Sequence, residues 1–423
     1  MLQNNKVKLT QKSAIERYDK LLTFSFCLLA LVYPYLKHIN PNTSFALFNA
    51  IVSLFPFIFI WFNTKIPYHR NFDMISLVVI LSVFLKLSTF FLNFEHLVGE
   101  ALLLQLVHDT ISILNLIFIY FIFRNIRDQY GLLKRIHIYV LIFAVLFSIY
   151  NIVENYSYLS SISSFEARYL INFSSYFTNV NGFGLFLFLS LIAGTYALVD
   201  EIRFKRKPNF KTAIILIAIL FIAMNLVLTF SRTAILSSII FFVIFTTLKN
   251  RRIHGMFIIL ALLGASYFII QIDGISRFID EYIIKADQGI SGRDLIWYYG
   301  LQLLSDKPLF GYGTMYGSSL IEEYAGVSGY HNMFLQAAID GGLFWFVFTC
   351  VFILYSLKIA IQVYKGNSKY GALAIASIVS IFAYGMFEGE KLFGFGLFSN
   401  MLTTYGIVLP LVLRKHKFVR QEK

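Results

Sequence analysis

Charge is scarce in this chain. Only 14% of its 423 residues are Asp, Glu, Lys or Arg, against about 25% in an ordinary soluble domain. A water-soluble chain of this size could not cover itself with so little polar surface, which excludes a soluble enzyme, a disordered chain and a nucleic-acid-binding domain. Cysteine is almost missing as well. Cys27 and Cys350 both sit inside apolar runs, so neither a disulfide framework nor a cysteine metal cluster is expected. There is no Asp-x-Asp pair, no Cys/His cluster and no glycine-rich nucleotide loop. A nucleotide-sugar donor held through a metal therefore has no support, and no metal and no cofactor are expected.

Apolar residues fill the space that charge leaves: 58% of the chain is hydrophobic, with 46 Phe and 26 Tyr. A bilayer core about 30 Å thick needs about 20 apolar residues per helix. Twelve such runs lie near 21–37, 43–63, 72–94, 101–123, 136–153, 181–199, 211–230, 232–248, 254–272, 331–357, 371–387 and 392–413. The seventh and eighth touch at Ser231-Arg232, where a tight hairpin is expected. With the N-terminus in the cytoplasm and sides alternating, 27 of the 36 Lys and Arg fall in cytoplasmic segments, as the positive-inside rule requires. The expected fold is thus an all-α integral membrane protein of about twelve transmembrane helices with both termini cytoplasmic. Its parts are a tail at 1–20, helices at 21–272, an extracytoplasmic loop at 273–330, helices at 331–413 and a tail at 414–423. The first span is not expected to be a cleaved signal, since it follows a polar tail and has no small-residue cleavage site. Two loops are long, about 154–180 and 273–330, and both fall on the outer side, where function concentrates.

The outer side is poor in basic residues, so each one there calls for a reason. Arg232, in the run TFSRTAIL, starts the eighth span. An Arg at a helix N-terminus adds its donors to free backbone N–H groups and suits a phosphate; taken alone it also fits an Arg snorkelling to the interface. In SGRDLIWYYGLQLLSDKPLFGYGTMYG, residues 291–317, Ser291 and Asp294 have capping-box spacing. Leu295, Ile296, Tyr299, Leu303 and Leu304 form one apolar face, the pattern of an amphipathic helix at the membrane surface with Arg293 in its first turn. Pro308 ends that helix, and Gly311 and Gly313 allow a tight turn. His331-Asn332 opens the tenth span, and histidine can accept a proton near neutral pH. Asp340, nine residues on, falls on the opposite helix face from His331, and Gly341-Gly342 is expected to permit close helix packing. Lys86 and Asp109, inside spans three and four, are expected to be structural, either paired or with Lys86 snorkelling.

Together these features resemble the O-antigen ligase and O-antigen/capsular polysaccharide polymerase superfamily. The resemblance rests on Ser231-Arg232, Gly292-Arg293 with Trp297, the run Pro308 to Gly313, His331-Asn332, Gly341-Gly342 and Asn179-Val-Asn181-Gly182, so it covers about 168–342. It implies a metal-independent, inverting glycosyltransferase of the cell envelope. The donor would be an oligosaccharide on undecaprenyl pyrophosphate, a membrane lipid. The acceptor is another lipid-linked repeat in a polymerase and the lipid A core in a ligase. It also implies a bacterial cytoplasmic (inner) membrane, an active site on the extracytoplasmic face, and a flippase and chain-length regulator of the same pathway as partners. Under it, Arg232 and Arg293 clamp the pyrophosphate and His331 is the base. Arg168, Asn181, Trp297, Tyr312, Asn332, Glu388 and Glu390 are candidate substrate contacts, the two glutamates also being alternative bases. The polymerase is favoured. A transporter is the alternative from another class, but transporters place polar sites near the midplane between repeats, whereas here the unusual polar residues collect at one mouth.

Overall fold

The computed structural model describes residues 74–94, 105–110, 112–113, 129–156, 175, 177, 180–205, 209–229, 231–249, 293–327, 329–390, 392 and 401–415. These form helices joined by short loops, and no strand occurs among them. In chain order the helices are α1 (Met74–Leu92), α2 (Gln129–Glu154), α3 (Val180–Lys205), α4 (Phe210–Leu228), α5 (Arg232–Lys249), α6 (Arg293–Asp306), α7 (Thr314–Ala325), α8 (Met333–Gly366), α9 (Ser368–Gly385) and α10 (Leu409–Lys415). A π-helical turn, Thr404–Val408, leads into α10.

Among the described residues, five stretches are long and apolar enough to cross a membrane: Leu133–Glu154, Val180–Ile202, Phe210–Leu228, Met333–Gly366 and Ser368–Gly385. This is a multi-pass membrane protein. The expected spans near 21–37, 43–63 and 254–272, and Arg168 with them, lie outside the described residues. Where helices do form, their register follows simple chemistry. Asn209, Asn332 and Asn367 cap α4, α8 and α9 by accepting from backbone N–H groups of the first turn. Some hydroxyls within the apolar helices bond back one turn, as Ser190 Oγ does to Phe186 O (2.6 Å) and Ser377 Oγ to Leu373 O (2.8 Å).

α3 is the axis of the bundle, with 89% of its span buried against 33% for α4. It packs between α2 and α4, while α9 packs between α5 and α8. Gly184 brings α3 against the start of α5, since a Cβ there would lie 2.6 Å from Ser231 Cβ. At the opposite end, Tyr130 and Tyr370 both donate to the buried carboxylate of Asp200, tying α2, α3 and α9. A helix break falls at Ser231, where the hairpin was expected: α4 ends at Leu228 and α5 starts at Arg232, with Ser231 N donating to Thr229 Oγ1 (3.2 Å).

α8 departs from the expected packing at its glycine pair. It is broken at Gly341 (φ −136°, ψ 17°) and Gly342 (φ 68°, ψ −170°). The loop after α6, not a second helix, occupies the break. Tyr312 N donates to Ile339 O (2.8 Å), Gly313 N to Asp340 O (2.9 Å) and Leu343 N to Pro308 O (2.7 Å). Loop backbone thus replaces helix backbone as hydrogen-bond partner, which makes a helix break tolerable in a membrane. Side chains are excluded on both sides of the junction: a Cβ on Gly342 would lie 2.0 Å from Leu309 O, and one on Gly311 2.2 Å from Ile339 O.

α6 and α7 close over this end with a small core of their own, made by Ile296, Leu303, Tyr312, Ile321, Tyr330 and Ile339. Of the apolar face expected at the membrane surface, Ile296 and Leu303 are buried together with Gly300, whereas Leu295 is 51% exposed. Gly300 receives the Tyr330 ring: a Cβ there would lie 2.9 Å from Tyr330 Cδ1.

Candidate functional site

The residues singled out in the sequence converge on the end of the bundle where α5 and α8 begin and α9 finishes. α9 ends at Gly385, and the chain turns through Met386 to Glu388, which is buried. Arg293, the first residue of α6, donates from Nη2 to Glu388 Oε1 (3.1 Å). His331 Nδ1 lies 3.4 Å from Glu388 Oε2. Thr233 Oγ1, in the first turn of α5, lies 3.4 Å from Glu388 Oε1 as a donor. One carboxylate therefore collects groups from 233, 293 and 331.

A carboxylate removed from water is costly unless it is paired and hydrogen-bonded. Glu388 meets both conditions, its side chain being 9% exposed and that of Arg293 15%. His331 is different, with a side chain 36% exposed. Its Nδ1 faces Glu388, which leaves Nε2 as the nitrogen available to an incoming group. Its backbone is in the left-handed region, φ 47°, a conformation that costs a non-glycine residue about 1–3 kcal/mol and persists only where neighbours over-determine it. Asn332 supplies part of that constraint. It accepts from Phe334 N (2.9 Å) and Leu335 N (3.0 Å) as the cap of α8, and its Nδ2 donates to Met386 O (3.2 Å), two residues from Glu388.

Arg232 opens α5 next to Thr233 and is exposed. Asn181 is the second residue of α3, close to Gly184 and so to Ser231. Glu390 is half-buried, two residues beyond Glu388. Trp297 and Tyr312 sit in the small core under α6 and α7. The indole Nε1 of Trp297 donates to Tyr330 O (2.9 Å). The ring of Tyr312 lies under Lys307, whose Nζ is 5.0 Å from its centroid. Burial, with the charge of Asp306, pushes the Tyr312 phenol above its ordinary value. Asp340 is turned away from His331, as its helix position requires, and accepts from Gln336 Nε2 (2.8 Å) and Thr314 Oγ1 (3.3 Å). Among the described residues, no group of His, Cys, Asp and Glu could hold a metal ion.

Sequence reasoning did not single out Thr233, Tyr330 or Gln336, and it ranked Glu388 below the arginines. Thr233 and Tyr330 each adjoin a residue that was singled out, the one signal available. Its place in the last outer loop marks Glu388 only as a candidate contact or alternative base, because the partners that meet on it lie 57 and 95 residues away.

Chemically, the cluster offers a guanidinium with one N–H bond to Glu388 and further donors, an imidazole with an open nitrogen, and a second exposed guanidinium one residue from the cluster. That set suits an anionic ligand beside a group that must lose a proton. No curated protein matches the chain. Residues 217–350, from within α4 to within α8, match the O-antigen ligase family, and this supports the chain as a member of the O-antigen ligase and polymerase superfamily.

Proposed function

We propose that the protein is a glycosyltransferase of the bacterial cytoplasmic membrane that moves a glycan from undecaprenyl pyrophosphate to a hydroxyl on another lipid-linked repeat unit, at the extracytoplasmic face. The observation that carries this reading is the convergence of Arg293 and His331 on Glu388, beside the turn that carries Arg232. The acceptor oxygen attacks the anomeric carbon as the bond from that carbon to the pyrophosphate oxygen breaks. The leaving oxygen keeps the bonding pair, and the acceptor's proton goes to His331 Nε2. Displacement from the opposite side inverts the anomeric centre.

Pyrophosphate is already a good leaving group, so the site works chiefly by neutralising its charge. Arg293 uses one N–H bond on Glu388 and directs its remaining donors to a phosphate, and Arg232 approaches from the start of α5. Glu388 orients the imidazole and stabilises its protonated form. Arg168, Asn181 and Glu390 are left as contacts to sugar or phosphate. The matched family's description favours a second reading, a ligase that delivers the glycan to lipid A core.

Deletion of the gene, followed by analysis of the surface glycan, tests and separates these readings. A polymerase leaves single repeats on the anchor, and a ligase leaves finished chains on the lipid carrier. A glycan unchanged in length and attachment contradicts both. Loss of all lipid-linked sugar from the outer leaflet points to a transporter.

A further inference from the structure

Tyr330 is fully buried and held at every polar atom it has. Its N–H donates to Gln336 Oε1 (3.3 Å), its carbonyl accepts from Trp297 Nε1 (2.9 Å), and its hydroxyl donates to Gly317 O (2.7 Å). Its ring fills the space that Gly300 leaves on α6. These contacts come from α6, α7 and the first turn of α8. The next residue is His331, with its left-handed backbone. Trp297 lies one helical turn after Arg293 on α6, so its indole N–H joins the helix that carries Arg293 to the peptide that carries His331.

From this we infer that Tyr330 and Trp297 are positioning residues. They fix the separation of Arg293 and His331 across the gap that Glu388 spans, and they hold His331 in a backbone conformation it would otherwise leave. Neither need touch substrate. A leaving group on Arg293 and a proton acceptor on His331 must be in place together, and a misplacement of about 1 Å can cost about a hundredfold in rate. The inference rests on the glycosyl-transfer reading for its kinetic consequence, though not for the mechanical one.

The test uses Trp297→Phe, which keeps a ring and loses the N–H, and Tyr330→Phe, which loses only the hydroxyl, in the full chain purified in detergent. Hydrogen exchange over residues 329–336 is measured first. Each variant is expected to exchange there at least about tenfold faster, with α9 unchanged. Turnover is then measured with an undecaprenyl-pyrophosphate-linked oligosaccharide. Here kcat is expected to fall about tenfold or more, with KM moved less than about twofold, since the loss is of alignment and not of binding. Unchanged exchange in both variants overturns the inference, whatever their activity. Faster exchange with wild-type kcat overturns it too, because the pin then has no bearing on the reaction. A wild-type protein inactive on this donor refutes the proposed reaction, while the exchange result still decides whether the pin exists. If one variant does not fold, the other carries both measurements.

Discussion

Among the described residues two buried ionic clusters stand out, and they are built differently. Around Asp109 the partners are Lys86 at 3.7 Å, with His108 and Gln105 from Asp109's own neighbourhood. Lys86 and Asp109 are 10% and 11% exposed, and the Lys86 ammonium lies 5.4 Å from the Trp345 ring centroid. Around Glu388 the partners are Thr233, Arg293 and His331, from three separate helix starts. The exposure of the two histidines separates the clusters further, at 36% for His331 and 11% for His108. The first cluster reaches α7, where Met315 N donates to Gln105 Oε1 (2.6 Å), and it lines a cavity with Thr314, Asp340 and Trp345. The second is assembled from distant segments and leaves a titratable group and spare guanidinium donors accessible. Removing one partner of a buried ion pair strands the other charge, so under the proposed function a substitution at the second cluster should cost transfer and one at the first should cost stability.

The contrast is sharpest at Arg293. Arg293→Ala should lower transfer about a thousandfold or more, as expected when a charge-stabilising donor is lost and its carboxylate is left behind. Purified enzyme with lipid-linked donor reads this directly, and a loss under tenfold would reduce Arg293 to a brace like Lys86. Glu388→Gln comes next. It keeps shape and one acceptor but removes the charge that orients the imidazole, and a loss of about tenfold to a hundredfold in kcat is expected, with the protein still folded by circular dichroism. Lys86→Met should do the reverse, moving kcat by less than about threefold while lowering stability by about 3–5 kcal/mol, because it strands Asp109. The double variant Lys86→Met, Asp109→Asn should recover most of that stability, as thermal unfolding in detergent would reveal. The smallest effect belongs to Tyr312. Its raised folded-state value means its contribution is present below the unfolded phenol value of 10.0 and fades as pH rises above it. Tyr312→Phe should therefore flatten the alkaline limb of the stability curve slightly and leave turnover at neutral pH alone.

How far the sequence reached depended on whether a signal was local. Apolar runs and the turn at Ser231 are written in neighbouring residues, and among the described residues helices and that turn fall where the pattern puts them, whereas Asn332, read as a substrate contact, serves as the cap of α8. The pairing of Lys86 with Asp109 was one of two outcomes expected, and it is the one found. The glycine pair was legible as a place of close approach, but not as a break, because what fills it is the backbone of residues 308–313. The packing of Tyr330 into the space at Gly300 was not legible either, since the two lie 30 residues apart. Glu388 lies beyond the segment 217–350 that matches the family, and its importance emerges only when three helix starts are seen to meet on it.

A double-mutant cycle between His331 and Glu388 tests the central claim most directly, with the rate of glycan transfer from undecaprenyl pyrophosphate measured for wild type, His331→Ala, Glu388→Gln and the pair. If the carboxylate acts through the imidazole, the double variant is no slower than His331→Ala within about twofold. Losses that multiply would mean that the two residues act separately, and the account of a base oriented by Glu388 would be wrong.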